Sequence, residues 1–155
     1  MSRTPLLYFV DRCADVRGEA SHLQDFWRLD EHDIPETGGA YVLVASEWFV
    51  YPSGKSPVFY VGQSRNLRQR LRMHRRYSID VRDDQRNRGD LYWPRYEYAG
   101  RFGSRYAFVK THRGKTPRAV EEELLASFAR QYRSFPVANG SGSWNRVPKH
   151  FGVAG

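Results

Sequence analysis

The sequence predicts an α/β fold in which antiparallel β-strands are flanked by helices. Three observations carry this expectation. Two β-prone apolar runs, AYVLVAS and VFYVGQS, flank the turn-forming residues Pro52, Gly54 and Pro57, as the arms of a hairpin would. Two segments with helical spacing follow, one beginning at Leu67 and one at Arg118. The chain of 155 residues is the length of one ordinary domain and holds enough Val, Leu, Phe, Tyr and Trp for a real core. It contains neither a long repeat nor a low-complexity tract, which argues against solenoids and arrays.

Taken in order, Leu6–Val10 reads as a short strand, and Ala20–Leu29 reads as a helix from the spacing of Leu23, Phe26 and Trp27. Residues 1–33 are expected to form an N-terminal extension packed on a domain spanning 34–155. DIPETGG, with Pro35 and two glycines, stops the extension and leads into the strand Ala40–Ser46, whose nearly continuous apolar character is that of a buried strand. Asn66 stands where its side chain can cap a helix running from Leu67 to about Tyr77. DVRDDQRNRGD, from Asp80 to Asp90, mixes both charges with almost no apolar content and reads as an exposed loop. LYWPRYEYAG and SRYAFVKT read as two β-rich runs joined through Gly100–Gly103 as a hairpin; in the first, Tyr92, Tyr96 and Tyr98 alternate with Trp93, Arg95 and Glu97. Thr116 and Pro117 supply a cap and first position for a helix ending near Arg133, and the Gly- and Ser-rich tail reads as loop.

Lys plus Arg number 25 against 17 acidic residues, a formal charge of +8 and a pI of about 9.9, which favours a polyanionic partner. Of those 25 bases, 21 are Arg and 4 are Lys. Arg grips phosphate through a planar two-pronged fork and stacks on flat bases, so nucleic acid is the expected partner. Cys13 is the sole cysteine, which leaves no disulfide framework and no thiolate zinc cluster. A cytoplasmic setting is expected, nucleoid-associated in a bacterium, with no membrane partner. The opening MSRTPLLYFVDRC has an apolar run too brief for a signal-peptide core or a membrane span.

Chemistry enters through two helices that carry polar groups on their apolar faces. With Leu67 at zero and each residue advancing about 100°, Leu71, Met73 and Tyr77 mark an apolar arc from about 240° to about 40°. Arg70, at about 300°, and His74, at about 340°, fall inside it. In the second helix Val120, Leu124, Leu125, Phe128 and Tyr132 span zero to about 140°, and Glu121, at about 100°, sits among them. Glu122 and Glu123 point to the far side. Burying an unpaired carboxylate or guanidinium costs several kcal/mol, so these groups either pair with each other around a core histidine or converge on a ligand. In the second case they supply the parts that phosphodiester hydrolysis needs: a carboxylate for a divalent metal, a cation for developing phosphate charge and a proton-transfer group.

These residues resemble the GIY-YIG nuclease superfamily. Gly39-Ala40-Tyr41 looks like its first triplet and Tyr60-Val61-Gly62 like its second. Arg70 and His74 lie on the following helix where the family places its catalytic arginine and its histidine or tyrosine. VEEELL looks like its metal-site helix, with Glu121 followed three and four residues later by Leu124 and Leu125. The resemblance covers roughly Ile34–Asn145 and implies a small central antiparallel β-sheet of three core strands flanked by helices, with an inserted β-hairpin region. The stretch between the two tyrosines is longer than usual, and Asp80–Arg105 looks like an insertion ahead of the family's third strand. The closing asparagine is matched by Asn145, preferred here, or by Asn139.

The resemblance implies a metal-dependent endonuclease that cuts one DNA strand per active site with one divalent metal ion, Mg²⁺ or Mn²⁺, and a possible homodimer where both strands are cut. It implies catalytic roles for Tyr41, Tyr60, Arg70, His74, Glu121 and Asn145, with Glu121 the metal ligand. Either tyrosine would orient or deprotonate the attacking water, helped by His74, and Arg70 would steady charge on the phosphate. Arg65, Arg68, Arg72, Arg75, Arg76, Arg82, Arg86 and Arg88 are expected to contact backbone phosphates. The alternative is a catalytically inactive nucleic-acid-binding module on the same fold.

Overall fold

The computed structural model describes residues 5–13, 20–83, 94–111 and 114–139. A 3-10 turn, Pro5–Leu7, runs into α1, Tyr8–Asp11; then come β1, Gln24–Asp25, and a second 3-10 turn, Glu31–Asp33. The centre of the fold is β2, Gly39–Tyr51, with β3, Gly54–Ser64, followed by α2, Leu67–Asp83. Next are α3, Pro94–Phe102, β4, Gly103–Lys110, and α4, Pro117–Tyr132. The described fold is thus mixed α/β, with an open four-stranded antiparallel sheet in the order β1-β4-β2-β3. No described helix is long and apolar enough to cross a membrane.

The hairpin of β2 and β3 forms on the predicted apolar arms, but its strands run further than expected: only Pro52 and Ser53 turn, and Gly54 and Pro57 lie within β3. β2 lies between β3 and β4, so its first half is buried on both faces, from Gly39 through Ala45. That explains why AYVLVAS is apolar without alternation. α4 packs on β2 and β3, with α1 against it, while α3 packs on α2 and also touches the sheet. Phe128 of α4 meets Phe9 and Tyr51 edge-on, both with ring centroids 5.2 Å away.

Both predicted caps are present. Asn66 Oδ1 accepts from the Gln69 amide at 3.0 Å, and Thr116 Oγ1 accepts from the Ala119 amide at 3.1 Å, each satisfying a first-turn donor. The amides of Leu67 and Arg68 donate to the Thr37 and Pro35 carbonyls, so the chain entering β2 also anchors the start of α2.

Several expectations are corrected. Leu6–Val10 is a 3-10 turn and α-helical turn, not a strand; Ser127 Oγ donates to the Phe9 carbonyl at 2.6 Å and fixes it against α4. Ala20–Leu29 is no helix. The open edge of β4 takes this segment instead, through the bridge of Ala20 with Val109, the pairing of β1 and the Phe26 amide donating to Ser104. An exposed ladder edge offers unpaired amides and carbonyls, and filling them outweighs a weak helical spacing. The sheet therefore gains a fourth strand. The inserted region is not a β-hairpin: Pro94–Phe102 is helical and passes straight into β4. Pro94 suits a first helical turn, Glu97 and Arg101 pair at 3.1 Å with i,i+4 spacing, and Tyr96, Ala99 and Gly100 form its buried stripe. Helical packing here overrides the β-propensity of the tyrosines. α2 extends to Asp83, six residues past Tyr77, so the expected loop gives up Asp80–Asp83 to helix; its remainder, 84–90, lies outside the described residues, as do Tyr92 and Trp93.

Candidate functional site

The site grows from the register of two strands. Tyr41 of β2 stands directly opposite Gly62 of β3, so both point to the same face, together with Tyr60 two residues earlier on β3. A Cβ on Gly62 would lie 2.6 Å from Tyr41 Cζ, 2.7 Å from its hydroxyl and 2.7 Å from Tyr60 Cε2. The missing side chain is the space in which the two rings meet, with centroids 5.9 Å apart. Gly39 serves a similar end, because a Cβ there would sit 2.3 Å from the Val109 carbonyl oxygen and 2.7 Å from Leu67 Cδ1. Without it, β4 and the start of α2 could not close over β2.

α2 then brings His74 onto the pair. Its buried stripe is Leu67, Leu71, His74 and Ser78, and His74 is fully buried, as its place on the helix predicts. Tyr77, expected on the apolar arc, is 39% exposed instead. The His74 ring lies 5.8 Å from that of Tyr41, 5.7 Å from Tyr60, 6.1 Å from Phe26 and 4.8 Å from Tyr96. Ser78 Oγ donates its proton to the His74 carbonyl at 2.6 Å, so toward Nδ1, 3.4 Å away, it can only accept. That contact favours the tautomer with its proton on Nδ1, in which Nε2 is an acceptor. Burial above all, then the charge of Arg95, with a smaller push from Arg70, lowers the His74 pKa to about 3, so the ring is neutral at physiological pH. Nε2 and the Tyr41 hydroxyl are both buried without a hydrogen-bond partner among the described residues. Two unsatisfied polar atoms in one aromatic pocket are costly, about 1–3 kcal/mol each, unless a ligand or water completes them.

Charge arrives from three helices. Arg70 of α2 is half-buried and acts electrostatically on Tyr41, His74 and Glu121. Glu121 of α4 is half-buried too; burial raises its pKa, partly opposed by Arg118 and Arg70 and reinforced by Glu122. Among the described residues Arg70 and Glu121 form no contact ion pair, and the Glu121 carboxylate accepts no hydrogen bond. Its oxygens are therefore available to a hard cation. The neighbouring acids are engaged elsewhere, Glu122 with Arg118 at 3.3 Å and Glu123 with Lys115.

Arg95 and Tyr96, the first turn of α3, complete the group, and sequence reasoning assigned neither to the site. Arg95 hydrogen-bonds the Tyr60 hydroxyl, and its guanidinium lies 4.9 Å from the Tyr96 ring centroid. The signal that could have found them is Pro94, which marks a helix start and so turns an apparent strand alternation into an i,i+1 pair at a helix N-terminus.

The tyrosine hydroxyls are not equivalent. Burial pushes Tyr41 well above the ordinary tyrosine range; Tyr60 adds to this, and Arg70 and Arg95 only partly offset it. Tyr60 is also raised by burial, but the charge and hydrogen bond of Arg95 pull it back, Glu121 pushes it up, and the Tyr41 hydroxyl leans toward it as a donor short of full hydrogen-bond geometry.

The basic surface divides. Arg68 pairs with Glu36 and donates to the Ile34 carbonyl, Arg72 pairs with Glu31, and Arg75 donates to the Trp27 carbonyl at 2.9 Å, so these three fasten segment 27–36 to α2. Arg82 stacks 4.5 Å from the Trp27 ring centroid and pairs with Asp83. Arg65 and Arg76 are exposed, whereas Arg86, Arg88 and Asn145 lie outside the described residues. Asn139, the other asparagine considered, bonds both backbone groups of Val61: Nδ2 donates to the carbonyl at 2.7 Å, and Oδ1 accepts from the amide at 2.9 Å.

The chain matches no family model, no curated protein and no solved structure.

Proposed function

We propose that this chain is a metal-dependent endonuclease of GIY-YIG type that hydrolyses phosphodiester bonds in DNA, one strand per active site. The observation that carries the reading is the meeting, on one face of β2 and β3, of Tyr41, Tyr60, His74 and Arg70 with an unengaged Glu121. Four separate segments supply these groups. A fold that needed only stability would gain more from apolar side chains there, since replacing buried charge by packed hydrophobe is often neutral or stabilising.

The residues fit a hard divalent cation. Glu121 offers oxygen donors with no contact ion pair among the described residues, and an Mg²⁺ or Mn²⁺ ion held by one carboxylate would keep waters and take substrate phosphate oxygens. Such an ion, when bound, supplies Lewis-acid polarisation of the phosphate and its leaving oxygen. Arg70 holds the non-bridging phosphate oxygens as charge develops on them. His74, neutral and bare at Nε2, accepts a hydrogen bond from water or the Tyr41 hydroxyl and orients the nucleophile. The aromatic walls keep bulk solvent from the far side. Arg65 and Arg76 meet the nucleic-acid backbone beyond the cleft, and their contribution falls with salt.

Nicking of supercoiled plasmid and of labelled single-stranded DNA is the test, run with Mg²⁺, Mn²⁺ or EDTA. Wild type is expected to cut with either metal and not with EDTA, and Glu121→Ala to lose on the order of 10²–10³-fold, the several kcal/mol expected of a metal contact. Binding without metal-dependent cleavage on every substrate would instead identify a nucleic-acid-binding module.

A further inference from the structure

α3 presents a second face beside the one that reaches the site. Its buried stripe is Tyr96, Ala99 and Gly100, and Gly100 lets α2 come close, since a Cβ there would meet Val81 Cβ at 2.5 Å. Next to that stripe lie two pairs with i,i+4 spacing, Glu97 with Arg101 and Tyr98 with Phe102. Together these residues line a cavity of about 320 Å³. Tyr98 and Phe102 are half-buried, with ring centroids 6.0 Å apart. Two buried rings stand behind them: Phe59 stacks on Tyr98 at 6.4 Å, and Phe49 meets Tyr98 edge-on at 5.8 Å and Phe102 at 5.7 Å. The wall is made of flat rings held in place by other rings.

The polar groups at this cavity are a matched pair with spare capacity. Arg101 Nε donates to Glu97 Oε2 at 3.1 Å. Among the described residues nothing else bonds either side chain, which leaves Glu97 Oε1 an open acceptor and the Arg101 Nη groups open donors. The Glu97 side chain is 19% exposed and that of Arg101 61%, so the acceptor is the deeper of the two. An acceptor beside a donor matches the edge of an unpaired nucleobase, which carries an N–H next to a ring-nitrogen or carbonyl acceptor. A base also has the flat face that aromatic walls hold best. A phosphate fits worse, because the Glu97 carboxylate would face it, and a purely apolar anchor would leave the pair's open groups unmet. The volume lies at the small end of ligand pockets, which suits one heterocycle.

The cavity's place along α3 ties it to the site. Tyr96 borders His74, and Phe102 is six residues further on. That is about 9 Å along the helix axis, the span of two or three stacked nucleotides. Phe59, behind Tyr98, directly precedes Tyr60 in β3.

We propose that this cavity takes one unpaired nucleobase of the strand being cut, so that the substrate class is nucleic acid with unpaired nucleotides a few positions from the scissile phosphate. This rests on the nuclease reading above. Tyr98 and Phe102 stack on the base, Glu97 accepts from its edge and Arg101 donates to it. These residues do not touch the reacting atoms; they select the strand that is held. A base within a duplex must be unpaired and unstacked before it can enter, a cost that a single strand does not incur.

The test is fluorescence anisotropy of the full chain in EDTA, so that no strand is cut, with three short labelled DNA probes. They are a single strand, its blunt duplex, and a strand of equal length whose sugars carry no bases. Wild type is expected to hold the base-bearing strand about 5- to 100-fold more tightly than the abasic one, the usual effect of stacking a base on an aromatic wall. Tyr98→Ala and Phe102→Ala should remove most of that difference and leave the affinities for duplex and abasic strand unchanged. Should either fail to fold, as read by far-UV circular dichroism, Glu97→Ala and Arg101→Ala decide, each shrinking the difference several-fold. Because the two strands carry equal charge, a change in general attraction cancels. A difference that survives intact in every folded variant overturns the proposal, and so does a wild type that holds the abasic strand as tightly. Self-association of wild type that Phe102→Ala abolishes would give the cavity to a second copy and overturn it too. Metal-dependent cleavage that ignores both the bases and these variants removes this inference and leaves the nuclease reading standing. The expected binding differences without any cleavage would sustain the cavity's role and defeat the nuclease reading.

Discussion

Gly62 shows how a single residue sets the geometry of the site. Its backbone does not need a left-handed conformation; the constraint is the crossing of two rings over the place its side chain would fill. Gly62→Ala puts a methyl within 2.7 Å of both tyrosines, so at least one ring must leave its position. The expected cost is about 1–3 kcal/mol in stability, as for other overpacked sites. The two-ring arrangement should be lost as well. Denaturant melts measure the first, and a change in Tyr41 and Tyr60 ring NMR shifts measures the second; unchanged ring shifts would show that the space is not needed. The residues meeting here were largely legible in the sequence. His74 and Glu121 stood out because a helical wheel placed polar groups among apolar ones, and Tyr41 and Tyr60 through the two triplets. Arg95 and Tyr96 were not legible as site residues. Their spacing fits a strand as well as a helix, and only tertiary packing against α2 decides between them.

At the scale of elements, the sheet's two open edges are closed by different means. β4 is covered by backbone pairing with the segment from Ala20 to Phe26, and β3 by the Asn139 carboxamide, which copies a peptide unit against Val61. The Ala138 amide adds a bond to the Phe59 carbonyl at 2.8 Å. Val61 lies between Tyr60 and Gly62, so this cover braces the strand that carries the site. Asn139→Ala leaves the Val61 amide and carbonyl unpaired beside a fully buried side chain. A loss of about 1–3 kcal/mol is expected, along with much faster hydrogen exchange at the Val61 amide. Exchange at Val61 as slow as in wild type would mean that another group covers this edge. The β2–β3 hairpin and both long helices were legible because turn residues, caps and periodicity agree. The fates of Leu6–Val10 and Ala20–Leu29 were not, since short segments of weak pattern take whatever conformation the nearest exposed edge or helix face rewards. Three arginines read as phosphate contacts, Arg68, Arg72 and Arg75, were legible as surface but not as fasteners, because their partners Glu36, Glu31 and the Trp27 carbonyl are distant in sequence.

For the whole molecule, the buried site is coupled to the pH range in which the fold is stable. His74 has a folded pKa of about 3 against the 6.5 of an exposed histidine. Below 6.5 the unfolded chain takes up a proton that the folded chain excludes, so stability falls as pH drops toward 3, by about 1.4 kcal/mol for each pH unit. Glu121 acts in the opposite sense: its raised pKa means the folded state binds its proton first, which favours folding just above the ordinary carboxylate range. That gain comes only as the carboxylate titrates, so just below pH 6.5 the histidine sets the slope. At the alkaline limit the tyrosines matter, because Tyr41, Tyr51, Tyr60 and Tyr106 all have raised pKa values in the fold. Above about pH 10 the unfolded state ionises them first and gains stability. The expected profile is a plateau from about 6.5 to 10, with the acid side falling by roughly 3–5 °C in Tm per pH unit. His74→Phe should flatten the acid limb, since phenylalanine fits an aromatic pocket and takes up no proton, while leaving the alkaline limb as it was. Thermal melts of both proteins between pH 5 and 11 decide the matter. Parallel acid limbs would mean that His74 is not held neutral, and with it would go the bare Nε2 acceptor on which the orientation of the nucleophile depends.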